Sequence, residues 1–183
     1  MRIIGGKHGG RKFRPPSGIP ARPTTDLAKE GLFNILSNHL DFRGLKTLDL
    51  FCGTGSISFE LASRGAEDLI LVDRDQASLE FIRKTAEELG FRGLKTVRAD
   101  VLRYIARCQE QFGLIFAGPP YALPGIDRLP ALIMAKPLLV EGGWLILEHT
   151  RGYDFSPVQG FAMARHYGTT IFSIFICSPE KPS

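Results

Sequence analysis

Residues 47–58 read TLDLFCGTGSIS, and this stretch decides the fold. A short β-prone run carrying one acid, Asp49, leads into two glycines spaced by one residue and then into a helical segment, SISFELASRG. Gly53 and Gly55 let the backbone turn tightly and bring main-chain amides close to a ligand at the start of the next helix. A strand, a glycine bend and a helix open many nucleotide-binding sheets. Asp49 narrows the choice. A carboxylate inside the strand, four residues before Gly53, repels the pyrophosphate of a dinucleotide but suits a ligand bearing ammonium or sulfonium charge.

Outward from this unit the alternation continues. LILVD (69–73), LKTVRAD (94–100), LIFAG (114–118) and WLILEH (144–149) read as strands, with helical stretches DQASLEFIRKTAEELG (75–90), VLRYIARCQEQ (101–111) and about 127–136 between them. Strand and helix in rotation imply a parallel sheet covered on both faces. The tail differs: FAMARHYG and TTIFSIFICS, meeting at Gly168 and Thr169, read as an antiparallel hairpin. The expected fold is α/β and Rossmann-like, with a mostly parallel seven-stranded sheet finished by that hairpin. Upstream, Thr24, Thr25 or Asp26 can cap a helix whose apolar stripe is Leu27, Leu32, Phe33, Ile35, Leu36 and Leu40.

Asp73 closes the second strand, where an acid accepts hydrogen bonds from ribose hydroxyls. Asp100 closes the third and can accept from an adenine amino group. Each acid alone reads equally well as a helix cap. Three of them at one sheet edge, with the glycine bend, point to S-adenosylmethionine, bound by Asp49, Phe51, Cys52, Gly53, Thr54, Gly55, Asp73, Arg74, Asp100 and Val101. The fourth strand ends in FAGPPY (116–121). Proline lacks the N–H a ladder needs and fixes φ, so Pro119 and Pro120 form a stiff rim whose carbonyls are acceptors, with the Tyr121 ring beside them.

At 183 residues the chain suits one domain, and its 44% hydrophobic and 23% charged residues are those of a soluble globular protein. No run approaches the roughly 20 apolar residues of a membrane span, and the opening MRIIGGKHGG lacks the apolar core of a secretory signal, so a cytoplasmic location is expected. Three cysteines without CxxC spacing and four scattered histidines indicate neither a disulfide framework nor a metal site. The net charge of +4 is uneven: residues 1–25 carry six bases and no acid, leaving the remainder at −2. Lys7, Arg11, Lys12, Arg14 and Arg22 in that segment suit a polyphosphate partner, through counterion release, although a solvated tail has the same composition. The paired glycines make it a hairpin or arm of residues 1–25 ahead of a domain of residues 26–183.

DLFCGTG, the acid of LVD, RAD and the PPY strand end, in this order, resemble class I S-adenosylmethionine-dependent methyltransferases. RIIGGKHGGRKF, the RPTTD of 22–26 and the LFNIL of 32–36 resemble the RsmD family, with similarity from residue 1 to about 177. The resemblance implies methylation of the exocyclic N2 of a guanine in small-subunit (16S) ribosomal RNA, with that RNA or the assembling small subunit as partner and a monomeric enzyme. It also implies that Gly118, Pro119, Pro120 and Tyr121 form the reacting edge. Such an amine is a poor nucleophile, and rigid acceptors that take its N–H groups and aim its lone pair are the help a protein can give.

The chain departs from its relatives at this edge. Amino-methylating enzymes of this kind carry Asp or Asn where Gly118 stands, so the side-chain acceptor is missing, and another carboxylate, such as Glu148 on the neighbouring strand, is a candidate substitute. Three other readings stay open: an impaired methyltransferase-like RNA-binding protein, an N6-adenine DNA methyltransferase, and a nicotinamide-dependent dehydrogenase. The last shares the glycine bend but explains neither PPY nor the basic segment.

Overall fold

The computed structural model describes residues 1–18 and 24–178. Helix α1 (Asp26–His39) starts where the Thr25 hydroxyl accepts from the Ala28 amide at 3.2 Å. Strand β1 (Lys46–Leu50) and helix α2 (Ser56–Ser63) flank the glycine bend. Next come β2 (Asp68–Asp73), α3 (Gln76–Leu89), β3 (Leu94–Arg98), α4 (Val101–Arg107), β4 (Phe112–Ala117), α5 (Leu129–Met134), β5 (Leu139–His149), β6 (Phe161–Tyr167) and β7 (Thr170–Ile176). Helix α3 shows how the pattern dictates packing. Leu79, Ile82, Ala86 and Leu89 recur at helical spacing and are buried, while Asp75 caps one end and Gly90, at φ 70°, closes the other in the left-handed conformation.

The sheet order is β3-β2-β1-β4-β5-β7-β6, with the first five strands parallel and β7 antiparallel to both its neighbours. Alternation along the strands divides the core in two. Leu69, Leu71, Leu114, Phe116, Ile146 and Phe172 share one cluster with α1, α2 and α3, and Leu48, Leu50, Ile70, Ile115, Leu145 and Leu147 share the other with α4 and α5. From β1 the chain runs outward through β2 to β3, then returns to β4 on the opposite side of β1. This reversal leaves a crevice beyond the carboxyl ends of β1 and β4, where ligands of open α/β sheets bind. The glycine bend follows one of those ends and Gly118-Pro119-Pro120-Tyr121 the other.

The expected architecture is present, with local corrections. Leu27 is 68% exposed; Ala28 and Lys29 are buried instead, because the helix turns its Lys29 face toward α2. β3 stops at Arg98, since Asp100 leaves the strand to cap α4, and α4 stops at Arg107 rather than running on to Gln111. β5 starts at Leu139, five residues before WLILEH, through an irregular stretch that the positive φ of Gly142 accommodates.

Residues 1–13 form a small antiparallel hairpin. The Ile3 amide donates to the Arg11 carbonyl at 2.9 Å and the Gly10 amide to the Ile3 carbonyl at 2.8 Å, the Phe13 amide donates to the Met1 carbonyl, and Arg2 bridges Lys12. The hairpin lies on α2. Ile3 is buried in the main core, Phe13 stacks on Phe59 at 5.9 Å, and a side chain at Gly6 would collide with the Ser63 carbonyl. Among the described residues no helix is long and apolar enough to cross a membrane.

Candidate active site

The bend after β1 is held from several sides. Phe51 is the one non-glycine among the described residues with positive φ, at 60°, followed by Gly53 at 50° and Gly55 at 75°. The Cys52 amide donates to the Val72 carbonyl at 3.2 Å, and the Gly53 amide donates to Asp73 Oδ2 at 2.9 Å. Asp73 Oδ1 accepts from the Asp75 amide at 2.9 Å, so one carboxylate ties the bend to the tip of β2. A Cβ at Gly55 would lie 2.9 Å from Ile82 Cγ1 of α3, and a side chain there would also be strained by the left-handed backbone. Cys52, Gly53, Thr54 and Gly55 are all buried.

Asp49 points from β1 toward α2. It is 3% exposed, and the Ser58 hydroxyl donates to Oδ2 at 2.6 Å. Burial pushes its pKa from 3.8 up to about 7; the Ser58 bond opposes this, and the charges of Asp73 and Glu148 add to it. Asp49 therefore lies within electrostatic reach of Asp73 and Glu148, and the three acids stand near the carboxyl ends of β1, β2 and β5. Asp100 is exposed and caps α4, accepting from the Arg103 amide at 3.0 Å. It sits two residues past Arg98, the partner of Asp73 in the β2–β3 ladder, beside buried Val101. Arg74 is exposed, and its carbonyl accepts from Arg98 Nε.

At the end of β4, Gly118 donates its amide to the Leu50 carbonyl at 3.1 Å, which fixes the rim against β1. Pro119 is buried and Pro120 exposed, and the Pro120 carbonyl accepts from the Leu123 amide at 2.8 Å. Of the proline rim, that carbonyl is therefore committed to the turn. Tyr121 is half-buried and its hydroxyl donates to Glu148 Oε1 at 3.1 Å. Thr24, just ahead of α1, donates to Glu148 Oε2 at 2.6 Å. Since Ala117 pairs with Leu147, Glu148 lies beside Gly118, and it is 7% exposed.

Lys7, Arg11, Lys12 and Arg14 are exposed on the hairpin, and Arg22 lies outside the described residues. A groove lined by Met1, Arg2, Lys12, Phe13, Arg14 and Asp26 runs along the hairpin, and Thr54 of the glycine bend donates to Met1 Sδ at 3.5 Å. The basic surface thus adjoins the crevice. Sequence reasoning missed what docks it there. Lys29 is 1% exposed and Glu60 is 0% exposed. Lys29 Nζ donates to the Arg2 carbonyl and to Ser56 Oγ, and pairs with Glu60 at 3.9 Å. Glu60 also accepts from the Ile4 and Gly5 amides at 2.7 and 2.8 Å and from Arg64 Nε at 2.8 Å. The signal was available in SISFELAS: a glutamate and three serines on a helix too short and too central to have a solvated face.

A glycine bend and a proline rim on either side of the switch point, around buried acids that favour a cation, define a Rossmann-like methyltransferase. The family model described as "Conserved hypothetical protein 95" matches residues 1–176. The chain belongs to this family, the RsmD family of methyltransferases. YlbH of Bacillus subtilis, named a putative rRNA methyltransferase, is 34% identical over 182 residues, covering 96% of this chain and 98% of YlbH. Ribosomal RNA small subunit methyltransferase D of Escherichia coli K12 is 31% identical over 145 residues, covering 79% of this chain and 69% of that protein. The solved structure of yhhF of Escherichia coli, named a putative methyltransferase, shares the fold, with a TM-score of 0.85 at 24% identity over 98% of this chain and 99% of that one. The Thermus thermophilus enzyme RsmC, a 16S rRNA N2 G1207 methyltransferase solved with AdoMet and guanosine, shares it with a TM-score of 0.69 at 22% identity, covering 87% of this chain and 45% of RsmC.

Proposed function

We propose that the protein transfers a methyl group from S-adenosylmethionine to the exocyclic N2 of a guanine in small-subunit ribosomal RNA, acting as a cytoplasmic monomer on that RNA or on the assembling subunit. The observation that carries this reading is the placement of Asp49, Asp73 and Glu148 near the carboxyl ends of β1, β2 and β5, with Glu148 bonded to Tyr121 of the Gly118–Tyr121 rim. The names of the RsmD-family relatives supply the substrate class. S-adenosylmethionine brings a methyl group on a sulfonium, ready for in-line displacement. Asp49 and Asp73 would favour its positive charge and ribose, Gly53 to Gly55 would let the backbone approach, and Asp100, Arg74 and Val101 would border its adenine. The carbonyls of Gly118 and Pro119 would take N–H groups of the target amine, while Tyr121 stacks on the extruded base, worth about 1–3 kcal/mol. In this reading residues 1–25 grip RNA and residues 26–183 carry the transfer.

Methyl incorporation from labelled donor into undermodified small subunits, followed by mapping of the modified base, tests the reading. Label in duplex DNA but not in ribosomal RNA would replace it with the adenine-N6 alternative. Position 118 favours a second reading, an RNA-binding protein that no longer transfers; tight donor binding without a single turnover would support that one.

Two further outcomes are expected. Below about pH 7 Asp49 is protonated in the folded protein, and the raised pKa favours folding most at pH values below 3.8, a contribution lost as pH rises through about 7. A cationic donor prefers the ionised form, so its affinity should rise by about tenfold between roughly pH 6 and 8 by simple titration. Calorimetry should find the Asp49→Asn variant flat over that range. Separately, neutralising Arg11, Lys12 and Arg14 together should weaken RNA binding and reduce its log–log salt slope by about 2–3, just under one for each phosphate no longer neutralised, with donor affinity unchanged. An unaltered slope would return these bases to the role of a solvated surface.

A further inference from the structure

The Glu148 carboxylate is buried beside Gly118, and among the described residues two that donate to it come from different parts of the molecule. Thr24 precedes α1 and Tyr121 belongs to the rim after β4. A carboxylate accepts and never donates when ionised, and both its oxygens here receive hydroxyl hydrogens. Hydroxyls are exchangeable partners: each rotates and each can be satisfied by water or by the ligand that displaces it. Tyr121 is half-exposed, so its ring can leave Glu148 without opening the core.

The bases differ in what they offer such a group. The Watson–Crick edge of guanine presents N1–H and N2–H side by side, two donors spaced to meet two carboxylate oxygens. Adenine presents a lone pair at N1 next to its amine, and cytosine a lone pair at N3 next to its amine. A carboxylate facing either lone pair loses a hydrogen bond and gains repulsion. Sites built to receive a donor reject analogues lacking it far more strongly than apolar pockets reject a missing methylene.

We propose that Glu148 is the specificity-determining residue of the target-base site, accepting N1–H and one N2–H of an inserted guanine in exchange for the hydroxyls of Tyr121 and Thr24. This rests on the guanine-N2 reading above. Tyr121 then has two places: on Glu148 before the base arrives, and against the base afterwards. The same contact leaves the second N2–H to the Gly118 and Pro119 carbonyls, so selection of the base and alignment of its amine fall to different groups on one rim.

The test compares two small-subunit RNAs, with guanine or 2-aminopurine ligated at the mapped target position, in single-turnover transfer by the full-length protein. 2-Aminopurine keeps the 2-amine but carries a lone pair at N1. The wild-type protein should prefer guanine by about 100-fold or more. In Glu148→Gln the amide can donate to N1, so the preference should fall to within about fivefold, mainly through loss on guanine, with melting unchanged and both RNAs compared at saturating donor. Glu148→Asp, which keeps the charge, should lower both rates yet retain the preference.

Equal use of both RNAs by the wild-type protein overturns the proposal without any variant. So does a preference in Glu148→Gln that matches wild type, which is what a purely structural role in holding Thr24 and Tyr121 predicts. Failure of the wild-type protein to methylate the guanine RNA overturns the guanine-N2 reading itself, and this proposal with it. Transfer to guanine with an unchanged ratio in the variant overturns this proposal alone.

Discussion

Replacing Glu60 by leucine is expected to lower the stability of the folded protein by about 3–5 kcal/mol in denaturant unfolding. The fully buried carboxylate is the partner of the Lys29 ammonium and of Arg64, and it accepts the Ile4 and Gly5 amides. Removing it strands a cation and two backbone donors away from water, and each orphaned donor costs about 1–3 kcal/mol by itself. Burial already lowers the Lys29 pKa, against the raising effect of Glu60, so its charge depends on that neighbour. Adding Lys29→Met to Glu60→Leu should recover part of the loss, because an apolar pair of similar volume avoids burying charge. It should not recover all of it, since Ile4 and Gly5 stay unsatisfied. A single variant as stable as the wild-type protein would show that the hairpin does not rely on Glu60.

The second large effect concerns catalysis. Gly118→Asp is expected to raise methyl transfer by about 100- to 1000-fold, the usual worth of one aimed polar group at a reacting centre. The backbone admits the change: Gly118 is not in the left-handed region, and the nearest atom to an added Cβ is Phe116 Cε1 at 3.0 Å. The ring edge must yield by a few tenths of an ångström, so the variant should fold with only a modest loss, within about 1 kcal/mol of wild type. The added carboxylate would stand next to Glu148 and give the amine a second charged acceptor. Single-turnover rates on undermodified small subunits would measure the gain. Equal rates would mean that Glu148 and the rim carbonyls already supply what the glycine lacks.

How much of this could be read in the sequence depended on the range of the interactions involved. The bend from Asp49 to Gly55 was legible because strand period, glycine and helix period are local properties, and so was the closing hairpin at Gly168. Asp100 was ambiguous between ligand contact and cap, and its bond to the Arg103 amide shows the cap is formed whatever else the residue does. By hydrophobicity alone Leu27 reads as core, yet it is exposed. Its exposure follows from Lys29, which turns inward only because Glu60, far along the chain, waits in α2. The pairing of Thr24 and Tyr121 through Glu148 was invisible for the same reason: three residues 24, 121 and 148 positions along the chain meet only when the sheet closes.

The wedging of β7 between β5 and β6 has a consequence for synthesis. During translation β5 emerges with β4 already available on one side, but its other side waits for residues 170–176, and β6, made earlier, has no place to bind until then. A nascent chain halted before Thr170 would present the run WLILEH as a bare, apolar edge, which is a template for self-association. Premature termination in this gene should therefore yield aggregates rather than a shortened soluble enzyme, even with every acid and glycine of the crevice in place.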